Sequence, residues 1–198
     1  VLASLSPASQ LAAVVAPGRV GWIDLGPAQV LAAAVSYIGG PGYELYVPTE
    51  LMVTVYDSLF AAGQDCGLTD AGYYALDALR IEAGRRAFGA ELGPDETPVE
   101  AGLLHAVRLD KGIEFLGRQA LLQRREAGIA KRLAIFAVED PSVFPWGGEI
   151  IMRDGKAVGE VSSAGYSRID GRALVMAYVR SDMADDKAQL ASGRYELD

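Results

Sequence analysis

Tyr37-Ile38-Gly39-Gly40-Pro41-Gly42-Tyr43-Glu44-Leu45-Tyr46-Val47-Pro48-Thr49-Glu50 decides how the chain folds. The run 39–42 reads as a tight corner, because Gly and Pro supply turn angles that other residues resist. After it, Tyr43, Leu45 and Val47 alternate with Glu44 and Tyr46, the period of two that sends successive strand side chains to opposite faces. Pro48 keeps that strand from continuing, and Thr49 suits the cap of a following helix. Met52, Val55, Tyr56, Leu59 and Phe60 then recur at helical spacing, and Gly63 or Gly67 ends the pattern. Upstream, 20–25 and 30–38 read as strands split by Gly26-Pro27. Residues 7–15 read as a short helix stopped by Pro17-Gly18. Strand, corner, strand, helix is α+β grammar.

Downstream, 70–85 reads as a helix that is apolar nearly all round, hence buried, yet it carries Asp77, Arg80 and Glu82. Buried charges need partners. Asp77 and Arg80 stand three apart and can pair along the helix. An internal ion pair and a ligand-facing role both fit this spacing. The segment 105–109 reads as a strand bearing His105, and 117–126 as an amphipathic helix closed by Gly128. From Lys131 the texture changes to short strands at 133–138, 148–153, 156–163, 172–179 and 193–197. Asp154-Gly155 supplies a strong hairpin signal between two of them. The expected division is therefore an α+β domain over 1–128 and a small C-terminal β-barrel over 129–198.

Composition removes several function classes. The 198 residues carry 18 Lys+Arg against 26 Asp+Glu, a net charge of −8. No basic face is available to displace counterions from a nucleic acid. No apolar run reaches the length of a membrane span. One cysteine, Cys66, and one histidine, His105, cannot make a multi-Cys or His-rich metal site, so no metal is expected. The single cysteine suits a reducing compartment. No Gly-x-Ser-x-Gly elbow is present, and the glycine corner lacks the Lys-Ser/Thr of a phosphate loop. The chain opens on Val1-Leu2-Ala3 with neither an initiator Met nor a basic leader.

The segment from Tyr37 to Tyr46 is then the candidate site. Two carboxylate oxygens on Glu44 can accept paired N–H bonds from an amidine-like heterocycle, while Tyr37 and Tyr46 stack against its faces. A solvated strand glutamate between structural tyrosines fits the same residues, and the pattern alone leaves both open.

The residues 37–48 resemble the Y-x-G-x-x-G-x-E-[LI]-x-V-P segment of the glycine-cleavage T-protein (aminomethyltransferase) superfamily. Ala75-Leu76-Asp77-Ala78-Leu79-Arg80-Ile81-Glu82-Ala83-Gly84 and Thr97-Pro98-Val99-Glu100-Ala101-Gly102-Leu103 carry the same likeness. So do Phe115-Leu116-Gly117-Arg118-Gln119-Ala120-Leu121 and the barrel stretch 148–167. The forms at 42–46 and 72–77 are most similar to the folate-binding C-terminal half of dimethylglycine and sarcosine dehydrogenases. That resemblance implies transfer of a one-carbon unit from an amine to tetrahydrofolate. It implies pterin binding by Glu44, Tyr37 and Tyr46, with a backbone contact from Leu45. Leu76 stands where T-proteins have a folate-contacting Arg, which favours the dehydrogenase branch; Arg80 and Glu82 are expected to be structural. The resemblance also implies FAD only in a module upstream, and a catalytic Asp upstream of Val1, so no catalytic residue is assigned within the chain. The chain resembles a C-terminal fragment whose barrel stops short, expected to lack transfer activity by itself. A bacterial cytoplasmic or mitochondrial matrix setting is implied. A non-catalytic folate-binding or assembly module of the same fold is the alternative.

Overall fold

Gly26, in the left-handed region at φ 62°, turns β1 (Val20–Leu25) back into β2 (Ala28–Val35), with Leu25 opposite Ala28. In this computed structural model, which describes residues 1–180 and 186–198, β2 then pairs antiparallel with β3 (Gly42–Tyr46). The strand expected to reach residue 38 ends at Val35, because the backbone bends from Tyr37 onward and Gly39 takes φ 93°. The chain separates into two compact units, Val1–Leu76 and Asp77–Asp198.

In the first unit the core lies on one face of the three-stranded sheet β1-β2-β3. Ile23, Leu25, Val30 and Ala32 pack there with Tyr43, Leu45 and Val47. Val14 of α2 (Ala8–Val14) and Val55 of α3 (Met52–Gly63) close over them. A short α1 (Leu2–Leu5) precedes α2, and its Leu2 and Leu5 pack against the same core. Gly21 is the point of close approach: a Cβ there would lie 2.7 Å from Val14 Cγ1. Thr49 does not cap α3; a 3₁₀ turn over Thr49–Leu51 leads into the helix with no side-chain capping bond. Only part of the expected stripe is buried. Val55 and Leu59 reach the core, while Met52 and Tyr56 stay half exposed. The apolar stripe is wider than the seam the sheet offers, and the Tyr56 hydroxyl finds a partner by donating to Asp70 at 2.8 Å.

The helix α4 (Tyr73–Glu82) is shorter than expected and is not buried all round. Tyr73 and Tyr74 are 85% and 86% exposed, whereas Arg80 and Ile81 are buried. The second unit contains α5 (Arg118–Ala127), β4 (Lys131–Ala137), β5 (Ile150–Arg153), β6 (Lys156–Ser167), β7 (Arg172–Arg180), α6 (Lys187–Ala191) and β8 (Tyr195–Leu197). Its antiparallel sheet runs β4-β7-β6-β5-β8. Asp154 and Gly155 both take positive φ, 52° and 73°, the twist-matched turn a two-residue hairpin favours. Bulges after Ile151 and Val161 bend the sheet. Its edge strands thereby meet through side chains: the rings of Phe136 of β4 and Tyr195 of β8 lie 4.8 Å apart between centroids, tilted by 58°. Ile151, Val161, Val175 and Ala177 fill the interior. The fold is thus a mixed helix-and-sheet portion followed by a barrel-type sheet.

One expected strand is absent. Around His105 the chain makes a 3₁₀ turn, Leu104–Ala106, because the backbone bonds there are local, Ala106 N–H to Leu103 and Val107 N–H to Leu104. His105 is exposed on that turn. Just upstream, Thr97 and Glu100 satisfy each other reciprocally. The Thr97 amide donates to Glu100 Oε2 at 2.9 Å, and the Glu100 amide to Thr97 Oγ1 at 3.4 Å.

Candidate functional site

The first unit's sheet has a second face, opposite the core. Antiparallel register puts Val20, Ala33 and Glu44 in one row across it, and Trp22, Leu31 and Tyr46 in the next. On β3 the alternation holds residue by residue: Leu45 packs inward and Glu44 and Tyr46 are exposed. The Tyr46 hydroxyl donates to Glu44 Oε2 at 2.7 Å. That bond, and the adjacent negative charge, hold the phenol's pKa above its ordinary 10.0. No lysine or arginine pairs with Glu44 among the described residues, and its Oε1 accepts no intramolecular bond.

The four expected site residues are therefore not equivalent. Glu44 and Tyr46 are brought together. Tyr37 lies in the bend after β2, 48% exposed, with no hydrogen bond or ring contact among the described residues. Leu45 turns its side chain to the core and is paired through its backbone register with Ala32. Residues 37–46 do not by themselves enclose a ligand, since Tyr37, Glu44 and Tyr46 all face solvent. A carboxylate held by one phenol, with its other oxygen free and no competing cation among the described residues, can accept a pair of adjacent N–H donors.

Two neighbours on this face were not singled out from sequence. Trp22, 60% exposed, and Leu31 flank the row that ends in Tyr46. The signal was present, because alternation in 20–25 sends Trp22 away from Ile23 and Leu25, but only the strand pairing places it beside Leu31.

Arg80 resolves differently. Its guanidinium reaches Asp77 at 3.2 Å through Nε, Glu91 at 2.6 Å through Nη1, and the Ser163 hydroxyl at 2.7 Å through Nη2. Glu91, fully buried, also accepts from the Ala87 amide at 3.0 Å and the Ser162 hydroxyl at 3.0 Å. Burial pushes the Glu91 carboxyl up. The Ala87 amide, the two serine hydroxyls and Arg80 outweigh that and hold it below its ordinary value. Apart from the half-exposed Asp77, this buried network ties α4 to β6 through Ser163 and to β7 through the Arg80 Nη1–Met176 Sδ contact at 3.7 Å, so the ion pair orients a helix. Glu91 lies in an aperiodic stretch, and no sequence pattern marked it.

The family described as GCVT N-terminal domain matches residues 1–111, and the glycine cleavage T-protein C-terminal barrel domain matches residues 131–194. Mouse mitochondrial dimethylglycine dehydrogenase is 41% identical over 156 residues, 79% of this chain and 18% of that protein. The mouse mitochondrial pyruvate dehydrogenase phosphatase regulatory subunit is 38% identical over 176 residues, 83% of this chain and 20% of that protein. Glycine cleavage system aminomethyltransferase T from Bartonella henselae superposes with a TM-score of 0.67 at 25% identity, covering 76% of this chain and 42% of that one. The chain spans about a fifth of the length of these two curated relatives.

Proposed function

The chain belongs to the glycine cleavage T-protein (GCVT) family, and from that premise we propose that it is the tetrahydrofolate-binding part of an aminomethyltransferase-like enzyme. That enzyme passes a one-carbon unit from a glycine-, sarcosine- or dimethylglycine-type amine to tetrahydrofolate. Residues 1–128 form the folate-binding portion and 129–198 the C-terminal barrel. Any FAD belongs to a module upstream. Tetrahydrofolate supplies, when bound, ring nitrogens nucleophilic enough to accept the carbon unit.

The chain's own residues bind and orient. Glu44 accepts the N–H groups of the pterin's amino-pyrimidinone edge, Tyr46 holds that carboxylate in place, Tyr37 and Tyr46 offer ring faces, and Leu45 contributes backbone. Holding the pterin in one pose raises the effective concentration of its reacting nitrogen against the electrophile. The observation carrying this reading is the 2.7 Å Tyr46–Glu44 bond on an exposed face with no cation against the carboxylate. Calorimetric titration of the 198-residue chain with tetrahydrofolate tests it. Binding that weakens in Glu44→Ala is expected. No binding overturns the reading, and equal affinity in the variant removes Glu44 from the site. Turnover by this chain alone, given an amine donor, would contradict the expectation that it lacks transfer activity.

A second reading is a non-catalytic folate-binding or assembly module. It is favoured by the 38% identity to a protein named as a regulatory subunit. Folate binding by a full-length parent protein that turns over no amine would select it.

A further inference from the structure

The turn 104–106, the segment after it and α5 border an open hollow of about 480 Å³, lined by Leu104, Val107, Leu109 and Leu122 together with Arg118 and the exposed Asp110 and Arg125. It lies wholly within the second unit and shares no residue with the Glu44 face. The volume suits a small molecule. The charges have a definite arrangement. Arg118 donates through Nη2 to the Leu109 carbonyl at 3.0 Å and through Nη1 to Glu114 at 3.2 Å, while its Nε is buried without a partner. Glu114 is 82% exposed at its side chain, so this ion pair is a weak, displaceable one. Arg125 and Asp110 have no hydrogen-bond or ion-pair partner among the described residues. Four aliphatic walls, two cations and one anion therefore converge on one space, in a chain whose overall charge is −8.

We propose that this hollow binds a small zwitterion with an aliphatic body, an apolar α-amino acid. Its carboxylate displaces Glu114 and pairs with Arg118 and Arg125, satisfying the guanidinium that is now under-partnered. Its ammonium pairs with Asp110, and its side chain lies against Leu104, Val107, Leu109 and Leu122. A dianion would meet the Asp110 charge uncompensated, and a simple amine would leave both guanidinium groups unanswered. The site is independent of the folate reading and stands or falls without it.

Saturation-transfer NMR on the 198-residue chain tests this with L-leucine, 4-methylpentanoate, which lacks the amine, and 3-methylbutylamine, which lacks the carboxylate. Leucine is expected to bind more tightly than either by about tenfold, the effect of losing one hydrogen bond to a charged group. Arg125→Gln, at an exposed position, is expected to weaken leucine about tenfold, and Asp110→Asn to erase the preference for leucine over 4-methylpentanoate. Absence of transfer from leucine, leucine binding unchanged in Arg125→Gln, or 4-methylpentanoate binding as well as leucine to the unaltered chain would each overturn the proposal. Unchanged circular dichroism of the variants keeps a folding defect from being read as lost binding.

Discussion

The Tyr46 hydroxyl donates to Glu44 Oε2 at 2.7 Å between two side chains on the same outward face of β3. One carboxylate oxygen is thus held by the protein, and the other accepts no bond from the described residues. Both side chains are exposed, so the bond contributes little to stability, and in the proposed function its removal is expected to act on binding.

Glu44→Ala is expected to weaken tetrahydrofolate binding by about 1.5–3 kcal/mol, the range for hydrogen bonds to a charged group. The thermal midpoint should stay within the scatter of surface substitutions. Titration calorimetry and a melting curve on the same preparation check both halves.

Tyr46→Phe keeps the ring and removes only the donor. Affinity should fall by about 0.5–1.5 kcal/mol, less than in Glu44→Ala. Because Glu44 holds the Tyr46 proton, raising the phenol above its ordinary pKa of 10.0, binding should show no Tyr46-dependent step below pH 10. A titration of affinity against pH in wild type and variant measures it; a wild-type loss between pH 8 and 9 that the variant lacks would contradict the assignment.

Glu91→Gln leaves Arg80 buried against a neutral amide. Breaking a buried pair in this way costs about 3–5 kcal/mol, read as a fall in the urea midpoint at pH 7. The pH dependence has a definite sign. The folded Glu91 carboxyl lies below its ordinary 4.5, so the folded state binds fewer protons than the unfolded one. Its contribution is fully present above about pH 4.5 and is lost as pH falls through the lower folded value. The gap between wild type and variant should therefore narrow as pH drops from 5 toward 3.

Gly165→Ala tests the packing of α4 on β6. A Cβ there would stand 2.9 Å from Ala78 Cα and 3.2 Å from Ile81 Cδ1. Backbone on one side cannot swing away, so a loss of about 1–3 kcal/mol is expected. Gly72→Ala is the control, with nothing within 4 Å of its added carbon. Chemical denaturation of both separates crowding from any general cost of the substitution.

How much of this was legible beforehand can be judged from particular residues. The inward Leu45 and outward Glu44 and Tyr46 follow from strand alternation, which is a local property. Asp154-Gly155 follows from backbone sterics, since those residue types accept positive φ more readily than most. The supposed strand at 105–109 failed because a strand needs a neighbouring edge, and the local segment found its bonds within a single turn. The supposed all-round burial of α4 failed for a related reason: apolar composition states a tendency, and Tyr73 and Tyr74 meet no partner that would bury them within the described residues.

Sequence alone determined the alternating faces, the corner at 39–42, the hairpin turn and the carboxylate offered beside phenols, because each depends on neighbours a few residues apart. Tertiary structure decided that Trp22 and Leu31 share the Glu44 face, and that Arg80 belongs to Glu91 and Ser163, 11 and 83 residues away. Those pairings depend on which strands and loops meet, and hydrogen bonds and charges act over a few ångströms of space, whatever the distance along the chain.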